Sequence, residues 1–521
     1  MRDAQDEAAM AGFSRRTLLT LAAGGLSGAA LGGAAQAAPP GGAITDFNAL
    51  ALSGAIRTRQ VSCVEVMSAH LDQIERLNPA VNAIVSLQDR DDLLKQARAC
   101  DDQLARNEPV GLLHGLPHAV KELSPVKGIR YTQGSPIYRD LIAPADALPV
   151  ERLRAAGVIF IGKTNAPEFG LGSHTYNPVF GLTRNAYVPS KSAGGSTGGG
   201  AVALALRMVP LADGSDYGGS LRNPAGWNGV YGFRTSFGRV PVVASDAWTP
   251  SMGVVGPMAR NVADLALLLS VQAGFDPRAP LSMESSGAGF RAPVAGSVRG
   301  KRIAWLGDFN GALPYEPGVL EVCRGALKTF EALGCVVEEA VPDYSVEKAW
   351  RSFVRLRGWQ QGGPLLEHYR NPDHRPLLKP EAVYEVEVGL GLGAFDITAD
   401  TVVRTEWSRA VRRLFQQYDY LVMPTAQVFP FDAEEHWPRQ IAGVTMQTYH
   451  EWMKGVCLIT LSGCPALAAP AGFSPAGLPM GIQIVAPVHQ ELACLTLAAA
   501  YEQAAGEAVV RRPALLTASG R

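Results

Sequence analysis

The chain has 521 residues, 47% of them apolar, enough to bury one large core or two moderate ones. Its 47 basic and 48 acidic side chains leave a net charge of -1, which argues against a nucleic-acid binder working through an overall positive field. Seven cysteines without metal-ligand spacing, and no His-Glu-x-x-His pattern, give no reason to expect a metal or a cofactor.

In chain order, Ser14-Arg15-Arg16-Thr17-Leu18-Leu19 opens an Ala/Gly/Leu-rich stretch that closes near Ala35-Gln36-Ala37. This reads as a twin-arginine export signal over residues 1–37, with a retained Ala/Gly helix as the plainer alternative. The stretch is too rich in glycine to read as a transmembrane helix, so the mature form is expected free of the membrane, periplasmic or secreted. Residues 45–107 carry a helical pattern. Ser53-Gly54 and Ser62 look like caps, and Val64, Met67, Leu71, Ile74 and Leu77 recur on one face. Residues 117–120 read as a buried strand ending in Lys121, 149–156 as a helix, 158–163 as a second strand and 201–208 as a buried helix. Residues 283–300, rich in Ser, Gly, Ala and Pro, are the candidate flexible connection. Beyond it come a strand at 302–306, a helix at 319–333, a strand at 335–340, a mixed segment to Tyr418, and late strands at 420–423 and 465–470. This alternation predicts an α/β fold, a central mixed twisted β-sheet with helices on both faces, over residues 45–510. Cys457 and Cys464 are near enough in sequence to pair, although an odd count leaves at least one thiol free.

Three features carry candidate chemistry: Lys121 at the end of an apolar strand, Ser196 within Gly194-Gly195-Ser196-Thr197-Gly198-Gly199-Gly200, and Ser220 within Asp216-Tyr217-Gly218-Gly219-Ser220-Leu221-Arg222-Asn223-Pro224. Taken singly, a lysine is usually a solvated charge and a glycine run usually a loop. Taken together they supply what an acyl-transfer site needs. A serine hydroxyl requires a neighbouring base to take its proton. The glycines before Ser220 let successive N–H groups converge on one point as an oxyanion site. No His-Asp pattern supplies the base, whereas a lysine desolvated by the apolar run before it can lose its charge near neutral pH.

These segments closely resemble the serine- and glycine-rich signature of the amidase signature family. The resemblance extends to Gly115-Leu116-Pro117 with Val120-Lys121-Glu122, and to Gly162-Lys163-Thr164-Asn165 with Pro167-Glu168-Phe169. It continues through Gly256-Pro257-Met258-Ala259-Arg260 with Val262-Ala263-Asp264, and Gly481-Ile482-Gln483-Ile484-Val485. It implies an amidase that cleaves a carboxamide through an acyl-enzyme on Ser220, with side activity on esters. Ser196, on a cis peptide bond, would relay the proton and Lys121 would be the base. The amides of Tyr217, Gly218, Gly219 and Ser220 would form the oxyanion hole, and Thr197, Asp216 and Arg222 would support the site. The expected partner is a small-molecule amide, not nucleic acid, acted on by a monomer or homodimer. Departures from the family pattern are Thr197 in place of a second serine, Asn185-Ala186 where Asn-Pro is common, a bulky Tyr217, and His118 near the lysine.

Other readings are weaker. Gly194-Gly195-Ser196-Thr197-Gly198 also fits the nucleophile elbow of an α/β-hydrolase-type esterase, with Ser196 as nucleophile, but Pro189-Ser190-Lys191-Ser192 makes a poor preceding strand. The S-x-x-K matches at Ser124–Lys127 and Ser345–Lys348 lack their partner motifs, and the glycine run has no phosphate-loop ending. A periplasmic solute-binding protein needs none of these residues. The family's transfer-RNA amidating member lacks a reason for an export signal. A substrate pocket is expected among loops near residues 168–180, 248–255 and 440–461, where Met446, Tyr449 and Trp452 would favour an apolar or aromatic acyl group unless they are ordinary packing residues.

Overall fold

A computed structural model describes residues 43–292 and 294–517; the proposed signal at 1–37 and its cleavage pattern lie outside the described residues. Among the described residues no helix is long and apolar enough to cross a membrane.

The N-terminal region is helical: α1 (Ala49–Arg57), α2 (Cys63–Val81) and α3 (Arg90–Ala105). Ser62 caps α2 by a reciprocal pair, accepting from the Glu65 amide while the Glu65 carboxylate accepts from the Ser62 amide. Ser53 is not a cap. It lies inside α1, which Asn48 caps, and its hydroxyl reaches the Leu112 carbonyl across the fold. α1 is also held from far along the chain, because the Asp264 carboxylate accepts from the amides of Ala49 and Leu50 at 2.7 and 2.9 Å.

Three strands, β1 (Ile84–Val85), β2 (Pro117–Lys121) and β3 (Ile159–Thr164), form a small sheet in the order β1–β3–β2, with β2 and β3 parallel. Helix α4 (Leu148–Ala155) precedes β3. Next comes α5 (Gly198–Ala205), starting three residues before the apolar run that announced it. Its first turn is glycine because there is no room for anything larger: a Cβ on Gly199 would stand 2.4 Å from the Asn165 amide nitrogen.

The main sheet is built from β4 (Ala212–Asp216), β5 (Tyr231–Arg234), β6 (Val254–Ala259), β7 (Arg302–Trp305), β8 (Val336–Glu339), β9 (Tyr420–Pro424), β10 (Ala466–Phe473) and β11 (Pro479–Val485). Their order is β8–β7–β9–β11–β10–β5–β6–β4, parallel across β8, β7 and β9 and antiparallel elsewhere. This is the mixed sheet flanked by helices that the alternating pattern predicted. Its flanking helices include α6 (Arg222–Trp227), α7 (Val262–Gln272) and α8 (Val319–Ala332). The mixed segment before Tyr418 resolves into helices α9 (Val346–Gly362), α10 (Leu366–Arg370), α11 (Pro380–Leu390) and α12 (Ala394–Leu414), followed late in the chain by α13 (Lys454–Ser462) and α14 (Glu491–Ala504). Within 283–300, residues Gly287–Phe290 form a short 3-10 turn, and Phe290 and Val298 are buried. All seven cysteines carry free thiols, Cys457 and Cys464 included, and six of them are buried as small apolar side chains.

Edge strand β4 of the large sheet lies against β2 of the small one, and this seam brings Lys121 to the serine loops. Because Asp264 satisfies two orphan amides of a helix more than two hundred residues away, Asp264→Ala should lower the free energy of unfolding by about 1–3 kcal/mol. Urea denaturation should show this as a lower midpoint with an unchanged slope.

Candidate active site

Lys121 projects from the end of β2 into the seam, where it is 1% exposed. Its Nζ lies 2.8 Å from Ser196 Oγ, 2.9 Å from Thr197 Oγ1, 3.0 Å from Ser215 Oγ and 3.2 Å from the Ser215 carbonyl. Neutral hydroxyl and carbonyl oxygens make up this whole shell, and among the described residues no carboxylate touches it. Burial therefore pushes the lysine down to about 7, against the pull of Asp216 and Asp213. A neutral amine keeps two N–H donors and gains a lone pair, so it can accept a proton from one of these hydroxyls.

The Ser196 loop is fixed from behind. Ser173 Oγ donates to the Gly195 carbonyl and Thr175 Oγ1 to the Gly194 carbonyl, at 2.6 and 2.7 Å. The Gly195–Ser196 peptide bond is cis. One residue on, the Thr197 amide donates to the Ser220 carbonyl at 3.2 Å, which ties the two serine loops together. Ser196 and Ser220 both face a cavity of about 370 Å³, and Ser220 is 9% exposed.

The turn carrying Ser220 is organised by Asp216, which ends β4. Arg222 closes an ion pair on it, Nε to Oδ2 and Nη2 to Oδ1, both at 3.0 Å. Arg234 adds a second cation at 3.2 Å, and the amides of Gly219 and Leu221 donate to the same carboxylate at 3.0 Å. Burial alone would raise the Asp216 carboxyl, but Arg222 and Arg234 hold it well below the usual carboxylate range. Arg222 has no idle donor: its remaining contacts are the Val456 carbonyl, Gln483 Oε1 and Thr460 Oγ1, at 3.0, 2.8 and 2.7 Å.

Gly219, expected among the oxyanion donors, has its amide taken by Asp216 Oδ1. Its own requirement is conformational: φ is +104°, and a Cβ there would stand 1.9 Å from Asn223 Oδ1. Among the described residues, no side chain or loop carbonyl takes the amides of Tyr217, Gly218 or Ser220.

The structure thus gathers Lys121, Ser196, Thr197, Asp216, Arg222 and Ser220 at one place. It adds three residues that the sequence pattern does not single out: Ser215 beside the lysine, Arg234 beside Asp216, and Asp213, whose Oδ1 lies 2.9 Å from His118 Nε2. Asp213 and Ser215 alternate along β4, so a strand assignment there would have placed both on one face. Ser196 does not follow a strand of the main sheet, and its hydroxyl meets a lysine, so the nucleophile-elbow geometry is absent among the described residues. Ser345 is a helix cap bonded to the Lys348 amide, and the Ser124 carbonyl is engaged by Lys163. Residues from 168–180 and 248–255 line the cavity as expected, but the 440–461 segment does not. Trp452 stacks on Trp227 with centroids 5.5 Å apart, and the Tyr449 hydroxyl is bound to Arg357 and Glu385. Both are packing residues.

A family model described as Amidase matches residues 65–495. An acylamidase of Rhodococcus erythropolis is 33% identical over 461 residues, covering 88% of this chain and 95% of the relative. A glutamyl-tRNA(Gln) amidotransferase chain of Thermosynechococcus vestitus is 32% identical over 473 residues, covering 85% and 95%. The crystal structure of a bacterial aryl acylamidase of the amidase signature family matches with a TM-score of 0.83 at 28% identity, over 91% of this chain and 99% of that one.

Removing Asp216 would leave two arginines buried without a counter-charge. Asp216→Ala should therefore cost about 3–5 kcal/mol of folding free energy, read as a lowered urea midpoint.

Proposed function

The chain belongs to the amidase signature family, and from that membership we propose that it hydrolyses a carboxamide to a carboxylate and ammonia or an amine through an acyl-enzyme on Ser220. The observation that carries this reading is the buried Lys121 amine 2.8 Å from Ser196 Oγ, facing the same cavity as Ser220. Ser220 Oγ attacks the acyl carbon while its proton passes to Ser196, whose own hydroxyl proton goes to Lys121. The carbonyl oxygen, now negative, is held by the free amides of Tyr217, Gly218 and Ser220. The C–N bond then breaks, the leaving nitrogen takes the proton back along the same path, and water hydrolyses the ester on Ser220. The same steps accept an ester substrate. Asp216, Arg222 and Thr197 hold the two loops without touching the reacting bond.

The paired Arg15-Arg16 segment supports placing the mature enzyme in the periplasm or outside the cell. Nothing in the near-zero net charge favours a nucleic-acid partner.

A fluorophosphonate probe should label Ser220, and labelling should vanish in Ser220→Ala. Persistent labelling in that variant would remove Ser220 as the nucleophile. Lys121→Ala should lower kcat/KM by at least ~10²–10⁴-fold with the folded state retained by circular dichroism. Because the lysine must be neutral to accept a proton, kcat/KM should be level above its pKa of about 7 and fall as pH drops below it. A profile between pH 5 and 9, measured on an uncharged substrate, checks this limb. A flat profile across that range would rule out Lys121 as the base.

A further inference from the structure

We propose that the cavity selects compact, uncharged amides with apolar substituents and rejects those bearing a carboxylate or ammonium group; this rests on the amidase reading above. At about 370 Å³ the space is near the lower end of the ~300–1,000 Å³ range of ligand pockets, so it suits one small molecule rather than a chain segment. Its walls are apolar: Leu123 and Phe169 on one side, Val240 and Leu281 from other loops, and Val255 from β6. Among the described residues, no lysine, arginine or histidine lines it.

The polar groups that do line it are mostly engaged by the protein itself. Asp216 is held by two arginines, and the Tyr217 hydroxyl donates to Gln360 Oε1 at 2.8 Å. Ser251 Oγ accepts from the Gly253 amide, and Ser282 Oγ donates to the Asp276 carbonyl. Asp246, at the mouth, accepts from the amides of Trp248 and Thr249 and has no cation on it among the described residues. A substrate carboxylate entering this space would lose its water and find no counter-charge, and an ammonium would find only Asp246.

The rim continues the apolar character. Val242, which borders the cavity, is 45% exposed, and Pro241 and Ala244 border it from the same loop. The wall behind them is preformed, since the Met283 amide donates to the Gly238 carbonyl at 2.9 Å and joins the loops carrying Val240 and Leu281. Gly238, at φ +80°, permits that approach: a Cβ would stand 2.6 Å from the Leu281 carbonyl oxygen.

Three anilides of one chain length separate charge from shape: hexanoyl anilide, the mono-anilide of hexanedioic acid, and 6-aminohexanoyl anilide. Calorimetric titration of Ser220→Ala measures binding without turnover, and kcat/KM on the unmutated protein measures hydrolysis. The uncharged compound should lead both charged ones by at least ~100-fold in kcat/KM and bind more tightly in the same order. Val242→Arg, at the exposed rim, should shift the ratio of affinities towards the carboxylate compound by about tenfold. Equal or tighter binding of either charged compound, or no measurable binding of the uncharged one, overturns the assignment. If the binding order holds while no anilide is hydrolysed, the cavity assignment stands and the amidase reading falls.

Discussion

A lysine cannot be buried as an ammonium without a counter-charge, and here it has none in contact among the described residues. Lys121 sits among the hydroxyls of Ser196, Thr197 and Ser215, with its nearest acidic influence exerted at longer range by Asp216 and Asp213. Burial makes the neutral amine accessible near pH 7 and the surrounding oxygens give it something to act on. Had one carboxylate been placed against Nζ, the lysine would have kept its proton, and the same cluster would be a plain ion pair. The two sheets meet so as to put hydroxyls around Nζ and to keep carboxylates off it, with Asp213 turned to His118 and Asp216 to its arginines.

Those charges are gathered one turn away. Asp216 carries two arginines and two backbone amides, and Arg222 in turn reaches Val456, Thr460 and Gln483. A single carboxylate thus shapes the turn of Ser220, while Arg222 anchors that turn to α13 and β11. This explains the wide spacing of the motifs. Gln483 is an acceptor for Arg222, Asp264 caps α1, and the Asn165 carbonyl accepts from Gly199 at the start of α5. Residues from tens to hundreds of positions apart in the chain are polar partners, while apolar side chains form the cavity walls.

The chemistry-bearing residues are legible because they are punctuated. Glycine runs flank both serines, and an apolar run precedes the lysine, so each stands out against its surroundings. Ser215 and Asp213 carry no such mark, lying in a segment whose glycines are its most visible feature. The aromatic residues of the 440–461 segment mislead for a related reason: a tryptophan suited to a substrate wall looks the same in sequence as one suited to the core. Trp452 is stacked on Trp227. Ser53 shows the same ambiguity at smaller scale, since a serine before a glycine resembles a cap whether or not a helix begins there.

By itself the sequence determined the alternation of helices and strands, the strand that ends in Lys121, and the two glycine-framed serines, because period, propensity and backbone permissiveness are local properties. Tertiary structure decided the rest. It placed β2 against β4 so that the lysine meets Ser196 and Ser215, and chose which loops border the cavity. Those outcomes depend on which surfaces are packed together, and no window along the chain contains both partners.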